Sequence, residues 1–171
     1  LAASETVESS RKRLMLSHGF LAKLRSLKMP IIGAINGDAI GGGFSLALAC
    51  DIRIASETAR FGLTHVRVGL VPDMGTHYFL TRLVGVGKAC EMCFLGDIFD
   101  AQEAKSLGLV NRVVSAADFE ATVRATVERL ARGPRTTLAL TKAAIYKGME
   151  MDFASEIEDE INTLSLCLNT Q

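Results

Sequence analysis

Apolar and polar positions follow two rhythms along this chain. From residue 5 to 27, Leu14, Leu16, Phe20, Leu21, Leu24 and Leu27 recur at helical spacing, with Arg11, Lys12, Arg13, Lys23 and Arg25 between them. This pattern predicts an amphipathic helix with its basic positions in water. Pro30 closes the segment, and Ile31–Ile35 is an apolar run too short for a helix, which predicts a buried strand. Gly42–Cys50 reads as a buried helix and Ile52–Ala55 as a second strand. Two strands joined by a short helix predict a parallel βαβ step. Phe61–Leu70 is short and irregular. Gly75–Leu83 and Val86–Leu95 are helical and separated by a Gly-Val-Gly break. Asp100 with Glu103 three residues on has the form of a capping box, Gly108 sits where a helix would stop, and Leu109–Val114 reads as a strand.

After Ser115 the strand rhythm ceases. Residues 116–132, 134–148 and 152–168 read as three helices punctuated by Gly133-Pro134 and Gly148. The chain is therefore expected to divide into an α/β region, 1–115, and a helical region, 116–171. The helical region carries apolar stripes (Leu138, Leu140, Ile145; Ile157, Ile161, Leu164, Leu168) with little core of its own to cover, which predicts self-association.

Composition narrows the partners. The 171 residues suffice for one sizeable core, and nineteen basic residues balance nineteen acidic ones. A neutral chain argues against nucleic acid or an anionic membrane surface as main partner. No apolar run approaches the roughly 18–20 residues of a membrane span. Cys90 and Cys93 form a C-x-x-C, but inside an apolar helical pattern and without a second pair. They read as two thiols on one helix face, and with Cys50 and Cys167 they fit a reducing compartment, cytoplasm or organelle matrix. His18, His65 and His77 show no metal-ligand spacing, so no metal is expected; His18 reads as a helix-surface residue and His77 as a helix-core residue. Lys142, Lys147 and the acidic run 156–160 read as solvated helix faces, and Asp51 as a structural residue. The chain opens on Leu1 inside a helical pattern, which is the expectation for a piece of a longer protein.

The most informative stretch is Ala34 to Ser45, where strand, turn and three glycines lead into a helix. Glycine lets a ligand approach the backbone, and the first N–H groups of a helix lack intrahelical partners at the positive end of its dipole. Phosphate binding and oxyanion stabilisation both use this device. The Gly-Lys-Ser/Thr ending of a P-loop and the Gly-x-Gly-x-x-Gly spacing are both absent, which weakens the phosphate reading; close helix–strand packing is a third explanation.

The segment 29–55, Met-Pro-Ile-Ile-Gly-Ala-Ile-Asn-Gly-Asp-Ala-Ile-Gly-Gly-Gly-Phe-Ser-Leu-Ala-Leu-Ala-Cys-Asp-Ile-Arg-Ile-Ala, resembles the signature of the crotonase superfamily, the enoyl-CoA hydratases and isomerases. The likeness continues through Ala59-Arg60-Phe61-Gly62, Gly69-Leu70-Val71-Pro72, Leu83-Val84-Gly85 and Asp100–Lys105 to Gly108-Leu109-Val110. The resemblance implies an α/β fold, a spiral of ββα units here lacking its N-terminal strands, with the C-terminal helices as a trimerisation module. It implies an acyl-CoA thioester substrate, no cofactor beyond the coenzyme A of that substrate, and a homotrimer or dimer of trimers.

Site residues carry over by motif. The Gly42 N–H resembles one oxyanion donor of the family, and the second would come from a loop upstream of Leu1. The two glutamates that hydratases use fall at Ser45 and His65, so both are missing. Serine is no base near neutrality without an activating partner, whereas imidazole serves as acid or base. Asp73 stands where double-bond isomerases of the family carry an acid. From the residues alone it is a cap for the helix beginning near Gly75; the resemblance makes it a proton shuttle. The expected catalytic set is thus Asp73, Gly42 and His65. The expected substrate contacts are Ala39, Gly41, Gly42, Ser45, Thr64, His65, Val68, Pro72 and Asp73. Isomerisation leads, hydration with altered acid/base groups follows, and a catalytically weak CoA-thioester binder or scaffold is the reading from another class.

Overall fold

The computed structural model describes residues 6–169; the first position of the expected 5–27 helix, Glu5, lies outside the described residues. Helix α1 runs Val7–Ser26, and Thr6 caps it by accepting the Ser9 N–H at 3.1 Å. Strands β1 (Ile32–Ile35) and β3 (Ile52–Ser56) pair in parallel across helix α2 (Gly42–Leu48), as the apolar rhythm predicts. Strand β6 (Arg112–Val114) completes this sheet in the order β1-β3-β6. A second sheet, β2-β4-β5, joins β2 (Ala39–Ile40), β4 (Arg60–Gly62) and β5 (Ile98–Asp100). Its β2–β4 pair is parallel and its β4–β5 pair antiparallel. Strands β2 and β5 have only two and three residues, too few for an alternating pattern, so periodicity did not reveal them.

The core lies between the two sheets and α2. Phe44, Phe61, Leu63 and Leu80 are fully buried there, and the Phe44 and Phe61 rings meet edge to face with centroids 5.3 Å apart. Arg53 of β3 is buried, with its guanidinium bonded to the Leu109 and Cys50 carbonyls at 2.6 Å each. Burial is the main cause that lowers its pKa.

Helix α3 (Thr76–Leu95) is kinked at Gly85, where φ 74° and ψ 167° interrupt the helix at the expected glycine break. Helix α4 (Ala101–Ser106) begins at Asp100, whose Oδ1 accepts the Glu103 N–H at 2.8 Å, and ends before Gly108 in the left-handed conformation. Helices α5 (Phe119–Ala131), α6 (Arg135–Gly148) and α7 (Phe153–Leu168) follow. Among the described residues no helix is long and apolar enough to cross a membrane.

Three sequence expectations need correction. Lys142 is not solvated: it is buried, 2.7 Å from Asp51 Oδ2, and also donates to the Met29 carbonyl. Asp51 further accepts the Ile31 N–H and the Tyr146 hydroxyl, and Arg25 approaches it at 3.4 Å while stacked on the Tyr146 ring. This cluster ties α1 and α6 to the α2–β3 junction. The apolar face of α1 is also thinner than its pattern implies: Leu21 is buried, but Leu14, Leu16, Phe20 and Leu27 are exposed. His77 is exposed and not in the helix core.

Candidate active site

The site is built where β2 turns into α2. Gly41 adopts φ 58° and ψ −126°, a conformation that a Cβ disfavours. Its N–H makes the last ladder bond, to the Gly62 carbonyl at 2.8 Å. Gly42 is the first helical residue, and among the described residues nothing accepts its N–H. The Gly41 carbonyl takes both the N–H and the hydroxyl of Ser45. The hydroxyl of Ser45 in turn accepts from the Thr76 hydroxyl at 2.6 Å. Ser45 and Thr76 are fully buried, so this chain of hydroxyls braces the glycine turn from the core side.

Opposite lies the turn before α3. Asp73 has its carbonyl, not its carboxylate, at the helix start: the Thr76 N–H donates to the Asp73 backbone oxygen at 3.0 Å. Gly75 occupies the N-cap position with no side-chain cap. The carboxylate points instead between two imidazoles, 3.8 Å from His65 Nε2 and 4.0 Å from His18 Nε2. Met74, at φ 51°, is the single non-glycine residue with positive φ among the described residues. Its sulfur lies 3.8 Å from where a Cβ on Gly42 would sit, and the His65 ring lies 3.9 Å from the same position on Gly41. Gly41, Gly42, His65, Asp73 and Met74 thus converge on one spot from three elements.

The side chain of His65 is nine-tenths buried, and its Nδ1 is buried without a hydrogen-bond partner among the described residues. A bare lone pair costs less there than an unpaired N–H. That places a proton on Nε2, on the side of Asp73.

The remaining expected contacts scatter. Pro72 is buried beside Asp73; Thr64, in the 3₁₀ turn Thr64–Val68, is half-buried, and Val68 is exposed. Ala39 and Ser45 turn into the core and present no side chain to the cleft. Pro72 also borders an apolar groove of about 370 Å³ lined by Leu70, Val71, Leu80, Cys90 and Cys93. Burial raises the Cys93 thiol pKa, with Cys90 adding to the shift. The C-x-x-C thiols are free and share this groove wall. Among the described residues no cluster of three or more His, Cys, Asp or Glu could hold a metal. Sequence reasoning placed His18 on a helix surface and so missed its approach to Asp73, a contact across 56 positions when counted to its bond with Met74.

The family model for enoyl-CoA hydratase/isomerase matches residues 8–171. The chain belongs to that family. A short-chain-enoyl-CoA hydratase from Clostridium acetobutylicum is 36% identical over 166 residues, 97% of this chain and 63% of that protein. The chain thus spans about three-fifths of the length of such relatives. The crystal structure of an enoyl-CoA hydratase from Bacillus anthracis superposes with a TM-score of 0.92 at 34% identity, covering 98% of this chain and 65% of that one. A Thermobifida fusca protein, described as an enoyl-CoA hydratase in complex with acetoacetyl-CoA, gives a TM-score of 0.90 at 35% identity, covering 94% and 63%. The fold is the crotonase fold. These relatives are named for hydration, so the names do not support the expected preference for isomerisation.

Proposed function

We propose that this chain holds one oxyanion donor and the proton-transferring group of an enzyme acting on enoyl-CoA thioesters, with double-bond isomerisation as its reaction. The observation that carries this is the Asp73 carboxylate, which lies 3.8 Å from His65 Nε2, on the ring that abuts Gly41, and does not cap α3. A thioester oxygen accepting the Gly42 N–H would gather the charge released when a proton leaves the carbon chain. Asp73 takes that proton from one carbon and returns it to another, so the double bond moves and no water is consumed. His65 with a proton on Nε2, toward Asp73, suits this single-base scheme, because its other ring nitrogen, Nδ1, is buried. The same orientation weighs against the weak binder or scaffold.

Hydration is the second reading, favoured by the names of the relatives and by His65 standing 3.8 Å from Asp73 as a possible partner in acid/base work. One experiment separates the two. On the intact protein with a 3-enoyl-CoA, Asp73→Asn is expected to lower turnover by about 10²–10⁴-fold while thioester binding persists. His65→Ala is expected to cost far less. Equal losses in the two variants, with 3-hydroxyacyl product from a 2-enoyl-CoA, would establish hydration. Unchanged turnover in Asp73→Asn would remove isomerisation.

The assembly belongs with this proposal. Ile145, Ile157, Ile161, Leu164 and Leu168 of α6 and α7 are exposed in the single chain. Their exposure supports a homotrimer or dimer of trimers in which the 116–171 region, read as a unit distinct from 1–115, packs against a second copy.

A further inference from the structure

We propose that His18 of α1 is a positioning residue for Asp73, acting through the strained turn at Met74; this role rests on Asp73 being the proton shuttle. Positive φ at a side chain as large as methionine persists only where the surroundings hold it. His18 is what holds it. The ring's Nδ1 lies 2.8 Å from the Leu14 carbonyl, an acceptor, so Nδ1 carries the proton. Nε2 is then a lone pair, and it accepts the Met74 N–H at 3.3 Å. In this tautomer Nε2 has no proton to give Asp73, 4.0 Å away, so His18 touches the turn and not the reacting atoms.

The geometry on either side makes the hold effective. Leu21, one turn further along α1, is buried, and its methyl lies 3.3 Å from a Cβ placed on Gly75. Arg25, a turn beyond, approaches Asp51 and stacks on the Tyr146 ring, which fixes α1 against the core. From this anchored helix His18 sets Met74, and Met74 sets two things at once: the neighbouring Asp73 carboxylate and the sulfur that covers Gly42. Releasing the Met74 N–H would let the turn relax away from φ 51° and swing the carboxylate from the glycine turn.

The test uses steady-state kinetics of the intact protein on a 3-enoyl-CoA. His18→Leu should lower kcat about tenfold with KM changed less than about threefold, as expected for a lost hydrogen bond that positions without binding. His18→Gln places an amide oxygen near the Nε2 position and should retain kcat within about twofold. If His18→Leu fails to fold, His18→Asn takes its place: its amide is too short to reach Met74, and the same loss is expected. In the Asp73→Asn background His18→Leu should add no further loss, because the two act as a unit. Equal kcat losses in His18→Leu and His18→Gln, a loss confined to KM, or no loss in His18→Leu would each overturn the role. A dead Asp73→Asn beside a fully active His18→Leu refutes the positioning alone; a fully active Asp73→Asn refutes the shuttle itself and this role with it.

Discussion

The glycine turn and the C-terminal helices solve opposite problems. Around Gly41 and Asp73 the chain buries polar groups and tolerates a strained residue, and each buried hydroxyl there has a partner within the chain. Helices α6 and α7 bury Lys142 and a carboxylate oxygen of Glu156, and leave a row of large apolar side chains open, among them Phe153 at 80% exposure. A region that places a reacting group is over-determined from inside. A region whose apolar face has no internal partner calls for one from outside. Substitutions in the first should therefore act on turnover, and in the second on association.

Beyond the Asp73 shuttle itself, the largest effect is expected at Gly41. An alanine there must hold φ 58° with ψ −126°, a conformation costing about 1–3 kcal/mol for a residue with a side chain. The turn would relax and carry the Gly42 N–H with it. Removing an oxyanion donor typically costs about 10²–10³-fold, so Gly41→Ala should lose turnover on that scale while the C-terminal helices still associate. Normal turnover would show that the glycine turn is packing alone.

Next comes the joint between the regions. Lys142→Met leaves Asp51 without its nearest cation, although Arg25 and the Tyr146 hydroxyl remain. Breaking a buried pair on one side costs about 3–5 kcal/mol, and the remaining partners put this case at about 3 kcal/mol. Thermal unfolding should fall by about 10 °C. A fall of only a degree or two would mean α6 is held by apolar contact.

That joint also shows what could be read from the sequence. The glycines of 41–43, the strand before them and the acid at Asp73 are local signals; in the structure Gly41 and Gly42 lie against His65 and Met74, and His65 in turn lies 3.8 Å from Asp73. Lys142 gave no such signal: a lysine at helical spacing looks solvated, and one of its acceptors, the Met29 carbonyl, lies 113 positions away. His18 was illegible for the same reason, since its ring finds Met74 only after α1 docks. Strands β2 and β5 exist through their pairing with β4, not through any pattern of their own.

Association is the third effect. Leu164→Asp puts a charge in the exposed α7 stripe, where a single chain should tolerate it. Sedimentation is expected to shift from trimer or hexamer toward monomer, with little change in the far-UV spectrum. An unchanged sedimentation coefficient would place the partner surface elsewhere.

The smallest effect is a slope with pH at the joint. Burial raises the Tyr146 pKa, and the hydroxyl's bond to Asp51 at 2.5 Å adds to the rise. The folded state therefore favours the neutral phenol more than the unfolded chain does. Stability from this group is complete below the unfolded value, about 10, and is lost as pH climbs through the higher folded value. Near neutrality the native protein should exceed Tyr146→Phe by about 1 kcal/mol, the net worth of one hydrogen bond. Phenylalanine keeps the ring under Arg25, so the comparison isolates the hydroxyl. Denaturant melts between about pH 8 and pH 11 should show that advantage shrinking, because only the native protein has a proton to lose at this position. Tyr78, the other tyrosine, is present in both proteins and cancels. An advantage that stays constant to pH 11 would mean the phenol is solvated, and the cluster that joins the two regions would then be looser than the Asp51 contacts imply.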